Sequence, residues 1–302
     1  MNLLREHGFA AMIGDMDERE QKIQKLKEYF EKREDAVMAF LFGSQAEDRA
    51  HASSDWDIAV YIASKDKRVE WEEHAKEYPQ EQKIWSDCVD ILKTDHVDIV
   101  ILNRAPVNIA DAAISGVPLA VKDRGLFLQF MLIVTKAAEE YYEFSKDYYD
   151  IFMRSASLIK KDADRLRNIV EFIEAQRTLY PSFLVLSQKE YENNLIMRGA
   201  VERWLENLMN GVIDIAKIVL ASKRVPNPYG YANTVERAMD ILALPKETIA
   251  QYEKWVKLRN ELAHEYLDIK WRKLTDFINV SEPHIQSLIA ATRDFLNKEE
   301  TE

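Results

Sequence analysis

The chain is 302 residues long, 47% hydrophobic, and carries a formal charge of −11 at pH 7. That length exceeds one ordinary core and predicts two domains, while the acidic balance argues against a general nucleic-acid coat. Eight Gly and eight Pro favour helices over a turn-rich β protein, and the single cysteine, Cys88, excludes an intrachain disulfide.

In chain order, Asp15 to Asp35 is charged, with Ile23, Leu26, Tyr29 and Phe30 at helical spacing, and predicts one amphipathic helix. Ala36 to Phe42 (AVMAFLF) reads as a buried strand ending in Gly43-Ser44. Trp56 to Ile62 gives a second strand and Val97 to Leu102 (VDIVIL) a third. Between them, Asp66 to Leu92 has helix-type patterning broken near Pro79. A short helix over Asn108 to Ser115 and a strand over Val117 to Lys122 follow.

After Gly125 strand signals stop. Long helices are expected from Leu126 through YYEFSKDYYDIF, over Lys160 to Thr178, and over Glu190 to Ser222. Beyond the loop VPNPYGYAN come Thr234 to Leu242, Lys246 to Tyr266 and Glu282 to Asn297. The parse is an α+β (α/β) domain with a small mixed sheet over 1–150, then an all-α helical bundle over 151–302. No Gly/Pro linker marks the boundary, placed within Ser145 to Lys161, so a bridging helix is expected. The most apolar run, Leu126 to Val134, is shorter than the roughly 20 residues a membrane span requires. With no visible signal peptide, a cytoplasmic protein without a membrane partner is the expectation.

Asp55 and Asp57 interrupt an apolar strand, where a carboxylate is costly unless paired. Two residues apart, they point to one face while Trp56 points to the other. Oxygen ligands so presented suit Mg²⁺, which binds through one or two carboxylates plus substrate phosphates. Gly43 and Ser44 offer close backbone approach and a hydroxyl for a phosphate. Asp98 interrupts the third strand in the same way; Asp95 competes with it as third acid, and Asp98 is preferred because the apolar run encloses it.

Gly-Ser, ten residues, Asp-Trp-Asp and then VDIVIL resemble the minimal nucleotidyltransferases of the polymerase-β-type superfamily. The resemblance covers about residues 15–150. It implies nucleotide phosphates at Gly43 and Ser44, metal at Asp55, Asp57 and Asp98, and a Mg²⁺-bound nucleoside triphosphate, ATP, as substrate.

KLRNELAHEYLDI is the second constellation. On a helix Arg259 and Tyr266 share one stripe, and Asn260 and His264 share the neighbouring one. A fixed cation and a titratable imidazole suffice for metal-independent RNA cleavage, in which the ribose 2′-OH attacks the adjacent phosphate. An Arg259 paired to Glu253 or Glu261 in a helix-end cluster is the plainer alternative. The string resembles the Arg-x4-His-x-Tyr motif of toxin-type HEPN domains, over about residues 156–302. That resemblance implies RNA as a partner, a homodimer through the helical half, and catalytic roles for Arg259 and His264 with Asn260 supporting. It also implies Tyr266 as acceptor of AMP from an antitoxin partner. In the typical system the two proteins are separate; here they share one chain.

The expectation is an adenylyltransferase fused to its HEPN partner, with AMP moved from Mg-ATP to Tyr266. Its first competitor is an aminoglycoside nucleotidyltransferase, whose helical bundle would help bind a polycationic sugar. The second is a HEPN dimer that binds or cuts RNA, its first domain serving only to bind nucleotide. Apart from His264, the histidines read as surface or packing residues, and the aromatics Tyr141, Tyr142, Phe144, Tyr148, Tyr149 and Phe152 as bundle core or interface.

Overall fold

The structure, a computed structural model, describes residues 3–46, 54–64, 69–73, 76–154, 157–226, 228–264 and 271–299. It divides into two compact units, residues 1–138 and 139–302.

In the first unit the elements run α1 (Leu3–Lys32), β1 (Ala36–Phe42), β2 (Trp56–Ile62), α2 (Gln80–Leu92), β3 (Val97–Ile101), α3 (Val107–Ile114) and β4 (Val117–Val121). The strand order is β3-β2-β1-β4. β1 is antiparallel to β2 and β4, whereas β2 and β3 are parallel, so the sheet is small and mixed as expected. Alternation sorts the side chains. Ala39, Leu41, Ile58 and Val60 pack with Leu26 and Phe30 of α1 and Ile84, Cys88 and Leu92 of α2. On the opposite face, Phe40 meets Phe127, and Tyr61 meets Phe130, both from the first turns of α4 (Arg124–Arg154). The Asn103 side chain closes the far end of β2, accepting from the Ile62 N–H at 2.8 Å and donating to the Ile62 carbonyl at 3.0 Å.

The second unit continues from α4 into α5 (Lys160–Arg177), α6 (Tyr180–Leu184), α7 (Gln188–Asn193), α8 (Leu195–Ser222), α9 (Tyr231–Ile241), α10 (Lys246–His264) and α11 (Trp271–Glu299). α8 is its axis, burying Val201, Trp204, Leu205, Leu208, Val212, Ile215 and Val219 against α5, α7, α9 and α10. A Cβ at Gly211 would lie 2.8 Å from Ile173 Cγ1, so the bare glycine is what admits α5 this close. Among the described residues no helix is long and apolar enough to cross a membrane.

Four boundaries lie farthest from the sequence expectation. α1 begins at Leu3, twelve residues before Asp15. Among the described residues, the patterned stretch around Pro79 is helical only from Gln80, because the proline's fixed φ of −56° starts a helix and its ring cannot continue one. The expected helix over Glu190 to Ser222 breaks at Asn194, which leaves helical geometry and accepts from the N–H groups of Ile196 and Met197. α11 starts at Trp271 instead of Glu282 and carries Pro283 inside it.

Candidate functional site

β1 ends in a single 3-10 turn, Gly43–Gln45. Gly43 has φ +70°, and a Cβ there would collide with the Asp57 carboxylate. Both facts demand glycine: the backbone turns left-handed while lying directly against the acid. Buried Gln45 donates to the Ser54 carbonyl at 3.1 Å, and Arg19 donates to the Gln45 carbonyl, tying the turn to the residues just before β2 and to α1.

Register places the acids. Asp57 pairs across the ladders with Phe42 on one side and with Asp98 on the other. In a parallel pair, residues in register share a face, so Asp57 and Asp98 stand side by side. Burial pushes the Asp57 carboxyl above its usual range, and the neighbouring charges of Asp98 and Asp55 push it further. Asp55 itself lies against His96, with 3.1 Å from Oδ1 to the ring Nδ1. Asp95 sits in the turn before β3, its carbonyl accepting from the Val97 N–H. His96 is exposed, as expected of a surface residue, and stands beside Asp55, a neighbour no local pattern announces because 41 residues separate them.

Among the described residues, no group of three or more His, Cys, Asp or Glu side chains is arranged to hold a metal ion. Mg²⁺ asks for less: one or two carboxylates, the rest of its shell being water and phosphate oxygen. The Asp57–Asp98 pair, all oxygen and crowded by like charge, fits that demand, with Asp55 next to it.

In the second unit Arg259 lies on α10 with its side chain 11% exposed. Its Nε donates to Asn210 Oδ1 at 2.8 Å, and its Nη1 donates to Glu140 Oε2 at 3.1 Å and to Asn260 Oδ1 at 3.2 Å. The guanidinium carbon stands 5.5 Å from the Tyr231 ring centroid. The ion-pair partner is therefore Glu140 of α4, and neither Glu253 nor Glu261; Glu261 instead accepts from Lys273 at 2.6 Å. His264 closes α10, and its side chain, like Tyr266, lies outside the described residues. Of the aromatics, Tyr141, Phe144 and Tyr148 are buried as expected, whereas Tyr142 and Tyr149 are exposed.

A second charge cluster shares α4 and α8 and adds α5. Lys217 of α8, 6% exposed, binds Asp147 at 2.7 Å and Asp214 at 2.6 Å, while Arg165 grips Asp147 with two hydrogen bonds of 3.1 and 2.8 Å. Burial opposes the Asp147 charge, yet the hydrogen bonds from Arg165 and Lys217 bring its carboxyl down to about 2. Asn210, Asp214 and Lys217, at i, i+4 and i+7 in the otherwise apolar C-terminal half of α8, are the sequence signal that could have found this seam.

Comparison with known proteins agrees with this division. Residues 24–125 match the family described as polymerase beta, nucleotidyltransferase, and residues 159–292 match the family described as ribonuclease HepT-like. No curated protein matches the chain. Among solved structures, one described as a toxin-antitoxin with AMP-PNP aligns at 20% identity over 44% of this chain and 96% of its own, with a TM-score of 0.34.

Proposed function

Since the chain joins a polymerase-β-type nucleotidyltransferase domain to a HEPN-like helical domain, we propose that it is a single-chain counterpart of a toxin–antitoxin pair, in which the first half adenylylates the second. The observation that carries this reading is the placement of Asp57 and Asp98 in register beside the Gly43 turn, in a chain that also bears Arg-Asn-x3-His-x-Tyr. Gly43 and Ser44 would take the nucleotide phosphates, and the Asp57–Asp98 pair, with Asp55 next to it, would hold Mg²⁺ together with water and phosphate oxygens. Bound there, the metal supplies charge neutralisation for phosphoryl transfer.

The Tyr266 phenol oxygen attacks the α-phosphorus of ATP. A new O–P bond forms, the bond from the α-phosphorus to the bridging oxygen breaks, and pyrophosphate leaves. The phenol proton passes to the Asp98 carboxylate. AMP on Tyr266 adds bulk and negative charge to the same Arg-Asn-x3-His-x-Tyr string that would have to bind an RNA phosphate for cleavage.

Two labelled nucleotides test the chemistry. ATP labelled at the α-phosphate should leave its label on the protein, ATP labelled at the γ-phosphate should not, and Asp57→Ala should abolish the retention. Release of pyrophosphate without label on the chain, stimulated by an aminoglycoside, would reassign the acceptor to a small molecule.

A further inference from the structure

Arg259 already holds an anion. In the second unit its guanidinium donates to Glu140 Oε2, and the carboxylate, 33% exposed against 11% for the arginine, is the outer member of the pair. Carboxylates and phosphodiesters compete for one guanidinium, since both offer anionic oxygens to the same planar fork. We infer that Glu140 is a built-in competitor for the RNA phosphate, closing the nuclease site by a contact of the chain with itself before any modification of Tyr266. The inference rests on the ribonuclease reading of the Arg259 to Tyr266 string.

Packing fixes both members. On the α4 segment that carries Glu140, the Tyr141 hydroxyl donates to the Pro228 carbonyl and the Tyr148 hydroxyl donates to the Val225 carbonyl at 2.7 Å. Asp147 binds α4 to Arg165 and Lys217. Tyr231, under the guanidinium, rests edge-on against Tyr141 and Phe144 of the same helix. Glu140 is therefore presented from a clamped helix to a clamped arginine. Among the described residues, the other hydrogen-bond acceptors of Arg259 are the neutral amides Asn210 and Asn260. Neutralising Glu140 removes, among the described residues, the one carboxylate in direct contact with a largely buried cation, a state that favours the arrival of another anion.

The test uses full-length, AMP-free protein and two single-stranded RNAs of one sequence. One is unmodified; the other carries 2′-O-methyl groups, so it binds but has no hydroxyl to attack with. Glu140→Gln should bind the methylated RNA on the order of tenfold more tightly than wild type and cleave the unmodified RNA faster. Adding Arg259→Ala should cancel both gains. If Glu140→Gln does not fold, Glu140→Asp, which retracts the carboxylate by one methylene, carries the same expectation. A wild type that cleaves as fast as Glu140→Gln or faster would overturn the inference, make Glu140 a positioning residue for Arg259, and leave the ribonuclease reading standing. Absence of binding and cleavage in every folded variant would overturn the ribonuclease reading and the inference with it.

Discussion

Gly43 and Asp57 are two residues forced into one decision by the fold. A side chain at Gly43 would need both a left-handed backbone and the space the Asp57 carboxylate occupies. Gly43→Ala is therefore expected to cost about 1 kcal/mol through its backbone and to displace the acid, so transfer falls far more than stability does. Thermal unfolding beside pyrophosphate release would show that split. Asp57 also carries an electrostatic cost, being half-buried beside Asp98 and Asp55. Mg²⁺ at about ten times its Kd should stabilise the wild type by roughly 1.4 kcal/mol. Asp57→Asn should lose that metal-dependent rise and be the more stable of the two in metal-free buffer at neutral pH. A Mg²⁺-dependent rise in the melting temperature of Asp57→Asn equal to the wild type's would remove Asp57 from the metal site.

At the scale of elements, α4, α5 and α8 are joined by the Asp147, Arg165, Asp214 and Lys217 cluster. Asp147 titrates at about 2, below its ordinary 3.8, so its contribution is present above 3.8 and is lost as pH falls from there toward 2. With a third of the side chain open to water, that contribution is on the order of 1–2 kcal/mol. Asp147→Asn should be less stable at pH 7 and should show a shallower loss of stability between pH 4 and 2, measured by urea unfolding at each pH. Asn194→Ala should cost about 1 kcal/mol by uncapping α8. The strands and the Gly43 turn were legible because their signals are local: uninterrupted apolar runs, period-two alternation, and acids where none should be. The Asn194 break was obscured because the apolar period runs through Tyr191 and Leu195 on either side of it. The Arg259–Glu140 pair spans 119 residues, and no spacing rule reaches that far.

At the scale of the whole molecule, the change from strands to helices after Gly125 was plain in the sequence, but the place where one half ends was not. The boundary expected at 150/151 and the observed division at 138/139 both fall inside α4, a 31-residue helix with no glycine or proline beyond its first turn. The region that matches a nucleotidyltransferase family and the region that matches a ribonuclease HepT-like family thus lie on either side of a helix without an internal glycine or proline break. The central claim is that one half modifies the other, and the intact mass of the protein tests it most directly. After incubation with Mg-ATP the wild type should gain the mass of one AMP, with Asp57→Ala and Tyr266→Phe unchanged. A starting mass that is unmodified and stays so, or an equal gain in Tyr266→Phe, would contradict the account.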